Sequence, residues 1–76
     1  MDFALKFQNL RDEFEPPMNQ TEFGKILHMS QRKISSMERG ETEPNLQDLF
    51  VICKRFNISA DYLIGLIDEP LPFKRK

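Results

Sequence analysis

Cysteine is scarce and long apolar runs are missing in this 76-residue chain, and each shortage excludes a class of protein. The single cysteine cannot form a disulfide within the chain, which excludes a disulfide-stabilised secreted fold. No apolar run approaches the roughly 20 residues that span a bilayer, and the first residues lack the basic and apolar pattern of a signal peptide. We therefore expect one small cytoplasmic domain. A helical bundle is the fold that so short a chain forms most readily.

Residues that bind metals or carry out catalysis are also scarce. The only histidine, His28, and the only cysteine, Cys53, lie on different predicted elements, which leaves too few ligands for a zinc site. Ser35 and Ser36 have no neighbouring base in the sequence, and there is no acid–base pair or phosphate-binding glycine loop. We expect no catalytic residue, no metal and no cofactor, and hence a protein that is not an enzyme.

Positive charge is unevenly distributed along a chain whose formal net charge is −1. Residues 24–40 carry four cations and one acid, Glu38, and residues 74–76 are all cations, whereas segments 1–23 and 41–73 are acidic. A positive segment between acidic ones can face phosphates while the rest of the surface stays acidic. Uneven scatter of charges in a short chain explains the same pattern, so charge alone does not decide between a nucleic-acid partner and a solvated surface.

Two helices are predicted before residue 28. The first has an apolar stripe at helical spacing, formed by Phe3, Phe7, Leu10 and Phe14. Pro16-Pro17 stop this helix, because proline has no N–H to donate and disfavours a helical residue before it. Asn19 and Glu22 then form a capping box, which predicts a second helix that runs through Leu27.

A turn and a third helix follow. The chain has to turn at His28-Met29, and Ser30 can cap a helix that runs to about Arg39. Gly40 suits the left-handed backbone position that ends a helix.

The second half of the chain predicts two more helices. Asn45 and Asp48 repeat the capping pattern for a fourth helix, and Asn57 tolerates the left-handed backbone that ends it. Its predicted buried face comprises Leu46, Leu49, Phe50, Ile52, Cys53 and Phe56. Ser59 opens a short fifth helix that Gly65 closes. No segment alternates as a strand, so the predicted fold class is all-α with five helices.

Residues 20–39 have the features of a helix-turn-helix motif. Two helices that cross steeply need a small residue at the crossing, and Gly24 is suited to it although glycine costs a helix about 1 kcal/mol relative to alanine. An apolar seam is formed by Phe23, Leu27, Met29, Ile34 and Met37. The predicted exposed face of the second helix holds hydrogen-bond donors and no acid: Gln31, Arg32, Lys33, Ser35, Ser36 and Arg39.

Residues 5–66 resemble the Xre-type helix-turn-helix proteins, which include the Cro and repressor proteins of lambdoid phages. The matching fragments, in order and at the family's spacing, are Asn19-Gln20, Ser30-Gln31, Ile34-Ser35, Met-Glu-Arg-Gly at 37–40, Glu43-Pro44 and residues 57–65. The resemblance implies a lambda-repressor-like fold. Two features depart from the family: His28 stands where the turn usually holds glycine, and the link through Pro16-Pro17 is about two residues longer.

The resemblance also implies a role for each residue of the motif. In this family the second motif helix lies in the major groove and the first crosses the backbone. The implied base-reading residues are Gln31, Arg32 and Ser35. The implied phosphate contacts are Asn19, Gln20, Lys33, Ser36 and Arg39. Glu38 is implied to pair with Arg11 and therefore to have a structural role.

The implied function is sequence-specific binding of double-stranded DNA by a transcriptional regulator, a repressor of phage, mobile-element or bacterial origin. A near-palindromic operator and a homodimer are implied partners, since so small a module makes few contacts alone. We expect Leu66 and Ile67 to contribute to the dimer, residues 1–67 to form the domain, and 68–76 to be a flexible basic tail. A protein-interaction module, such as an antitoxin or anti-repressor, remains the alternative because the same fold hosts such functions.

Overall fold

The computed structural model describes residues 3–68, and these residues form five α-helices and no strand. The helices are α1 (Phe3–Asp12), α2 (Gln20–Leu27), α3 (Gln31–Glu38), α4 (Leu46–Phe56) and α5 (Ala60–Leu63). The predicted all-α, five-helix fold is confirmed. The predicted tail lies, except for Asp68, outside the described residues.

Side-chain caps determine where four of the helices begin. The Asn19 side chain accepts a hydrogen bond from the Glu22 N–H at 2.8 Å, and the Glu22 carboxylate accepts one from the Asn19 N–H at 3.2 Å. Asn45 and Asp48 form the same reciprocal pair at 2.8 and 3.0 Å. The other two caps are the hydroxyls of Ser30 and Ser59. All four predicted caps are confirmed, and they fix which residues of α2 and α3 face outward.

Left-handed backbone conformations occur at the predicted helix ends. His28 has φ of 59° after α2, and Asn57 has φ of 55° after α4. Gly40 and Gly65 also have positive φ, at 76° and 91°. Histidine and asparagine enter this region more often than most residues, which is why His28 can replace the usual glycine of the turn.

Phe23 lies at the centre of an aromatic cluster that joins three helices. Its ring centroid is 5.3 Å from that of Phe7 in α1 and 5.8 Å from that of Phe56 in α4. Phe14 packs against both Phe23 and Phe56, with its ring edge-on to each. The buried core around this cluster comprises Phe3, Phe7, Phe23, Leu27, Ile34, Met37, Ile52, Ile58 and Leu63. The core side chains thus pack α2 and α3 against α1 and α4.

The predicted buried face of α4 is wrong at two positions. Leu46 is 85% exposed and Phe50 is 59% exposed. The core side of α4 instead follows the spacing of residues 49, 52, 53 and 56, which are buried or packed against the core. With a helical period of 3.6 residues, Phe50 points away from Ile52, so its apolar character does not place it inside. Leu46 shares the side of Cys53 but is the first residue of α4, where it is left exposed.

The end of α1 also differs from the simplest expectation. The helix ends at Asp12, four residues before Pro16, rather than continuing to the prolines. Phe14 lies beyond the helix and still packs into the aromatic cluster. The link is tied back by Arg11, whose Nη1 donates to the Met18 carbonyl at 2.9 Å. With this longer link, Phe7 of α1 still contacts Phe23 of α2.

Candidate nucleic-acid interface

Gly24 allows α2 and the turn that follows it to approach closely. A Cβ atom on Gly24 would overlap the carbonyl oxygen of Met29 and would lie 3.5 Å from the Ile34 side chain. The turn itself is closed by the Met29 N–H, which donates to the Gly24 carbonyl at 2.8 Å. The small residue expected at the crossing is thus required mainly by the backbone of the turn, and only secondarily by α3.

The apolar seam of the motif is confirmed. Phe23, Leu27, Ile34 and Met37 are buried, and Met29 is half-buried and packs against them. Because Ile34 and Met37 point inward, the remaining side of α3 faces outward. Gln31, Arg32 and Arg39 are exposed there, and Lys33, Ser35 and Ser36 are half-buried. One continuous surface therefore carries the predicted donors.

Glu38, at the end of α3, is the centre of an ion pair with α1. Arg11 donates to both carboxylate oxygens, from Nε at 2.7 Å and from Nη2 at 2.9 Å. Only 5% of the Glu38 side chain is exposed. Burial opposes its ionisation, but hydrogen bonds from Arg11 and Gln20 outweigh burial and hold the pKa of Glu38 below its ordinary value. The Arg11–Glu38 pair is confirmed, and its geometry makes it a structural connection between α1 and α3.

Two glutamines continue this network to the outer surface. The Gln20 Nε2 donates to Glu38 at 2.9 Å, and the Gln20 Oε1 accepts from the Gln31 Nε2 at 2.6 Å. The first residue of α2 is thereby joined to the first residue of α3. Asn19, immediately before them, uses its side-chain oxygen as the cap of α2 and is exposed.

Lys33 has a partner within the chain. Its ammonium lies 2.6 Å from the carboxylate of Asp48, in the first turn of α4. The side chain of Lys33 is 37% exposed, whereas that of Asp48 is 7% exposed. Lys33 therefore compensates the charge of a buried carboxylate that also caps α4, in addition to the phosphate contact that the sequence predicts for it.

Arg39 also has an acidic partner. Its guanidinium donates to both carboxylate oxygens of Glu41, at 3.0 and 2.9 Å, and to the hydroxyl of Ser35. The hydrogen bond lowers the pKa of Glu41 and raises that of Arg39. Ser36 is paired with Thr42, with the two hydroxyl oxygens 2.6 Å apart. Arg32 is exposed and has no ion pair among residues 3–68.

The acidic partners of the surface cations are what sequence reasoning missed. Glu41 follows Arg39 by two residues, and the left-handed Gly40 between them turns the chain back, so a local signal was present. Asp48 is 15 residues from Lys33, and nothing local predicts their contact.

Comparison with known proteins identifies the motif. The profile of the helix-turn-helix family matches residues 18–63, more than half of the chain. The chain belongs to the helix-turn-helix family. The predicted resemblance to the Xre-type members of this family is confirmed.

One phage repressor is similar to this chain both in sequence and in structure. Repressor protein C2 of Salmonella phage P22 is 40% identical over 47 residues, which is 62% of this chain. The chain spans 22% of the length of that relative. The crystal structure of the P22 c2 repressor protein in complex with a synthetic operator superposes with a TM-score of 0.70. That match is 33% identical and covers 80% of this chain and 89% of the repressor chain, so the predicted lambda-repressor-like fold is confirmed.

Other kinds of site find no support in the described part of the chain. Within residues 3–68, no three histidine, cysteine or carboxylate side chains are grouped so that they could hold a metal ion. Over the same range, each helix is too short or too polar to cross a membrane.

Proposed function

We propose that this chain is a sequence-specific double-stranded DNA-binding protein that acts as a transcriptional repressor, with α3 in the major groove. The observation that carries the proposal is the acid-free outward face of α3, held at a fixed angle to α2 by the Gly24 crossing and by the Arg11–Glu38 pair. The similar P22 repressor, whose structure was determined in complex with a synthetic operator, supports DNA as the partner. Repression would follow from blocking polymerase at the operator, in the cytoplasm, with no catalytic role and no cofactor.

Each residue of the motif has a proposed role. Gln31, Arg32 and Ser35 contact base edges, and Asn19, Gln20, Lys33, Ser36 and Arg39 contact phosphates. The side chains of Gln31 and Arg32 are exposed near the start of α3, the part of a recognition helix that contacts base edges in this kind of motif. Gln20 retains one N–H of its amide for a phosphate, at the positive end of α2.

A homodimer on a near-palindromic operator completes the proposal. Leu66 and Ile67 are 70% and 41% exposed, which leaves their apolar surface available to a second copy. Two half-sites about one helical turn apart would supply the affinity that one small module lacks.

The first test is selection from random duplex DNA at about 150 mM salt, because affinities depend steeply on salt. Enrichment of a two-fold symmetric site supports the proposed function and yields the operator. If the folded protein enriches no sequence, the proposed function is wrong, and the alternative of a protein-interaction module is favoured.

Arg32→Ala and Lys33→Ala form a matched pair that tests the division between base and phosphate contacts. We expect Arg32→Ala to relax base preference at one operator position, by about tenfold to a hundredfold. Lys33→Ala also leaves the buried Asp48 carboxylate without its ion-pair partner, so its binding is measured on protein shown to be folded. We expect it to weaken binding to all sequences alike and to lower the salt slope by about one. Titrations of single-base operator variants at several salt concentrations measure both effects. Identical behaviour of the two variants would contradict the assignment.

Glu41→Gln is expected to strengthen DNA binding. The carboxylate of Glu41 occupies the guanidinium of Arg39, which therefore has to exchange one anionic partner for another when it meets a phosphate. We expect affinity for any duplex to rise about two- to fivefold, as for the loss of an exposed ion pair, and the salt slope to rise by about one.

Glu43→Gln is the matched control, because Glu43 is exposed in the same loop and makes no ion pair with described residues. It changes the net charge equally, so general electrostatics acts in both variants. An increase of the same size in both would refute the competition between Glu41 and phosphate for Arg39.

A further inference from the structure

The hydrogen bonds that start at Glu38 have a direction that chemistry alone determines. An ionised carboxylate only accepts hydrogen bonds, so the group of Gln20 that faces Glu38 has to be its Nε2 and not its Oε1. The Oε1 of Gln20 must then face Gln31, and the Gln31 group that meets it must be the donor Nε2. No other assignment of the two amides satisfies every contact.

The reversed arrangement is unfavourable at its first step. If Gln20 were flipped, its carbonyl oxygen would face the Glu38 carboxylate, and two acceptors would meet in a site where only 5% of that side chain is exposed. Protonation of Glu38 does not relieve this contact near neutral pH, because Arg11 donates to both carboxylate oxygens and keeps the group ionised. The orientation set at Glu38 is therefore transmitted to the surface.

The orientation of Gln31 matters for discrimination between bases. A glutamine amide that is free to flip can offer either a donor or an acceptor at the same place, and it therefore tolerates bases with opposite hydrogen-bonding groups. A glutamine with one N–H committed to Gln20 offers a fixed order of acceptor and remaining donor. Each base pair presents a distinct pattern in the major groove, so a fixed order selects among them.

We propose that Glu38, which does not itself touch DNA, sets the base preference of Gln31 through the amide of Gln20. Glu38 is in this sense a positioning residue as well as the partner of Arg11. The inference rests on the proposed function, because it concerns how the base-reading face of α3 is organised.

The test compares base discrimination at two operator positions, one assigned to Gln31 and one to Arg32 by the loss of preference in their alanine variants. Affinities are measured for all four base pairs at both positions, in the wild type, Glu38→Gln, Gln31→Ala and the double variant. We expect Glu38→Gln to reduce discrimination about tenfold at the Gln31 position and to leave the Arg32 position unchanged. In the Gln31→Ala background, Glu38→Gln should cause no further loss at that position.

Gln20→Met is the second variant, in case Glu38→Gln does not fold. It leaves the Arg11–Glu38 pair intact and removes the amide that joins Glu38 to Gln31. We expect weaker binding to all sequences, from the lost phosphate contact, together with the same tenfold loss of discrimination at the Gln31 position. If Glu38 had only a structural role, its substitution would weaken binding to every sequence and leave the affinity ratios between base pairs unchanged. That result would overturn the proposal. Retained discrimination in Gln20→Met would overturn it as well.

An NMR measurement without DNA follows the side-chain amides. In Glu38→Gln we expect the Nε2 protons of Gln31 to shift and exchange faster, while those of exposed Gln47 stay unchanged. An unchanged Gln31 amide would overturn the proposed orientation. Failure to select any operator would contradict the proposed function together with this inference. Selection of an operator on which the variants keep the base discrimination of the wild type would contradict this inference alone.

Discussion

Gly24→Ala is expected to destabilise the fold by about 3 kcal/mol, within the upper range of overpacking effects. The added Cβ would overlap the Met29 carbonyl oxygen, which belongs to the backbone and cannot rotate away like a side chain. Helix propensity alone predicts the opposite sign, a gain of about 1 kcal/mol. For a domain of this size, the melting temperature should fall by roughly 12–24 °C, which thermal unfolding followed by circular dichroism measures.

Gly40→Ala provides the control for this prediction. Gly40 has φ of 76°, but a Cβ there would find Ala4 at 3.9 Å, an ordinary contact. The cost should be the left-handed backbone alone, about 1–2 kcal/mol. If Gly24→Ala proved as stable as the wild type, the turn would have to move freely, and the angle between α2 and α3 would not be fixed.

Local interactions explain why so much of the motif was predictable. The caps at Asn19 and Ser30 act over three residues, and the left-handed turn at His28 depends on one residue's backbone. The position of each helix start along the chain then decides which side chains of α3 face outward. The residues that predict the helix starts and the outward side of α3 therefore lie within a few positions of one another. The Arg11–Glu38 pair, which spans 27 residues, was predicted from the family resemblance.

The features that sequence did not reveal depend on how distant segments meet. The Lys33–Asp48 pair forms because the fold brings the first turn of α4 within reach of the long Lys33 side chain, and no periodicity encodes that approach. The exposure of Leu46 and Phe50 has a similar cause, since α4 carries apolar residues on more than one side and only packing decides which side is buried. The sequence likewise did not reveal that Asp48 and Glu41 neutralise two cations of the proposed interface.

Arg11→Met is expected to destabilise the fold by about 3–5 kcal/mol, because it leaves a buried carboxylate without its ion-pair partner. Methionine keeps the apolar stem, so lost packing contributes little. Adding Glu38→Gln to this variant removes the stranded charge and should recover part of the loss. Denaturant titrations of the wild type, Arg11→Met and the double variant measure these differences.

The pH dependence of the same variants separates charge from packing. In the wild type the pKa of Glu38 is lowered below its ordinary value of 4.5. The stability due to Glu38 is therefore fully present above that value and is lost as the pH falls through the lower pKa of the folded state. In Arg11→Met burial dominates and should raise the pKa of Glu38. Protonation then relieves the stranded charge, so the loss of stability relative to the wild type should shrink as the pH falls towards 4.5. A deficit that stays constant between pH 7 and pH 4.5 would mean that Arg11 stabilises the fold by packing and by its bond to the Met18 carbonyl, and not by compensating Glu38.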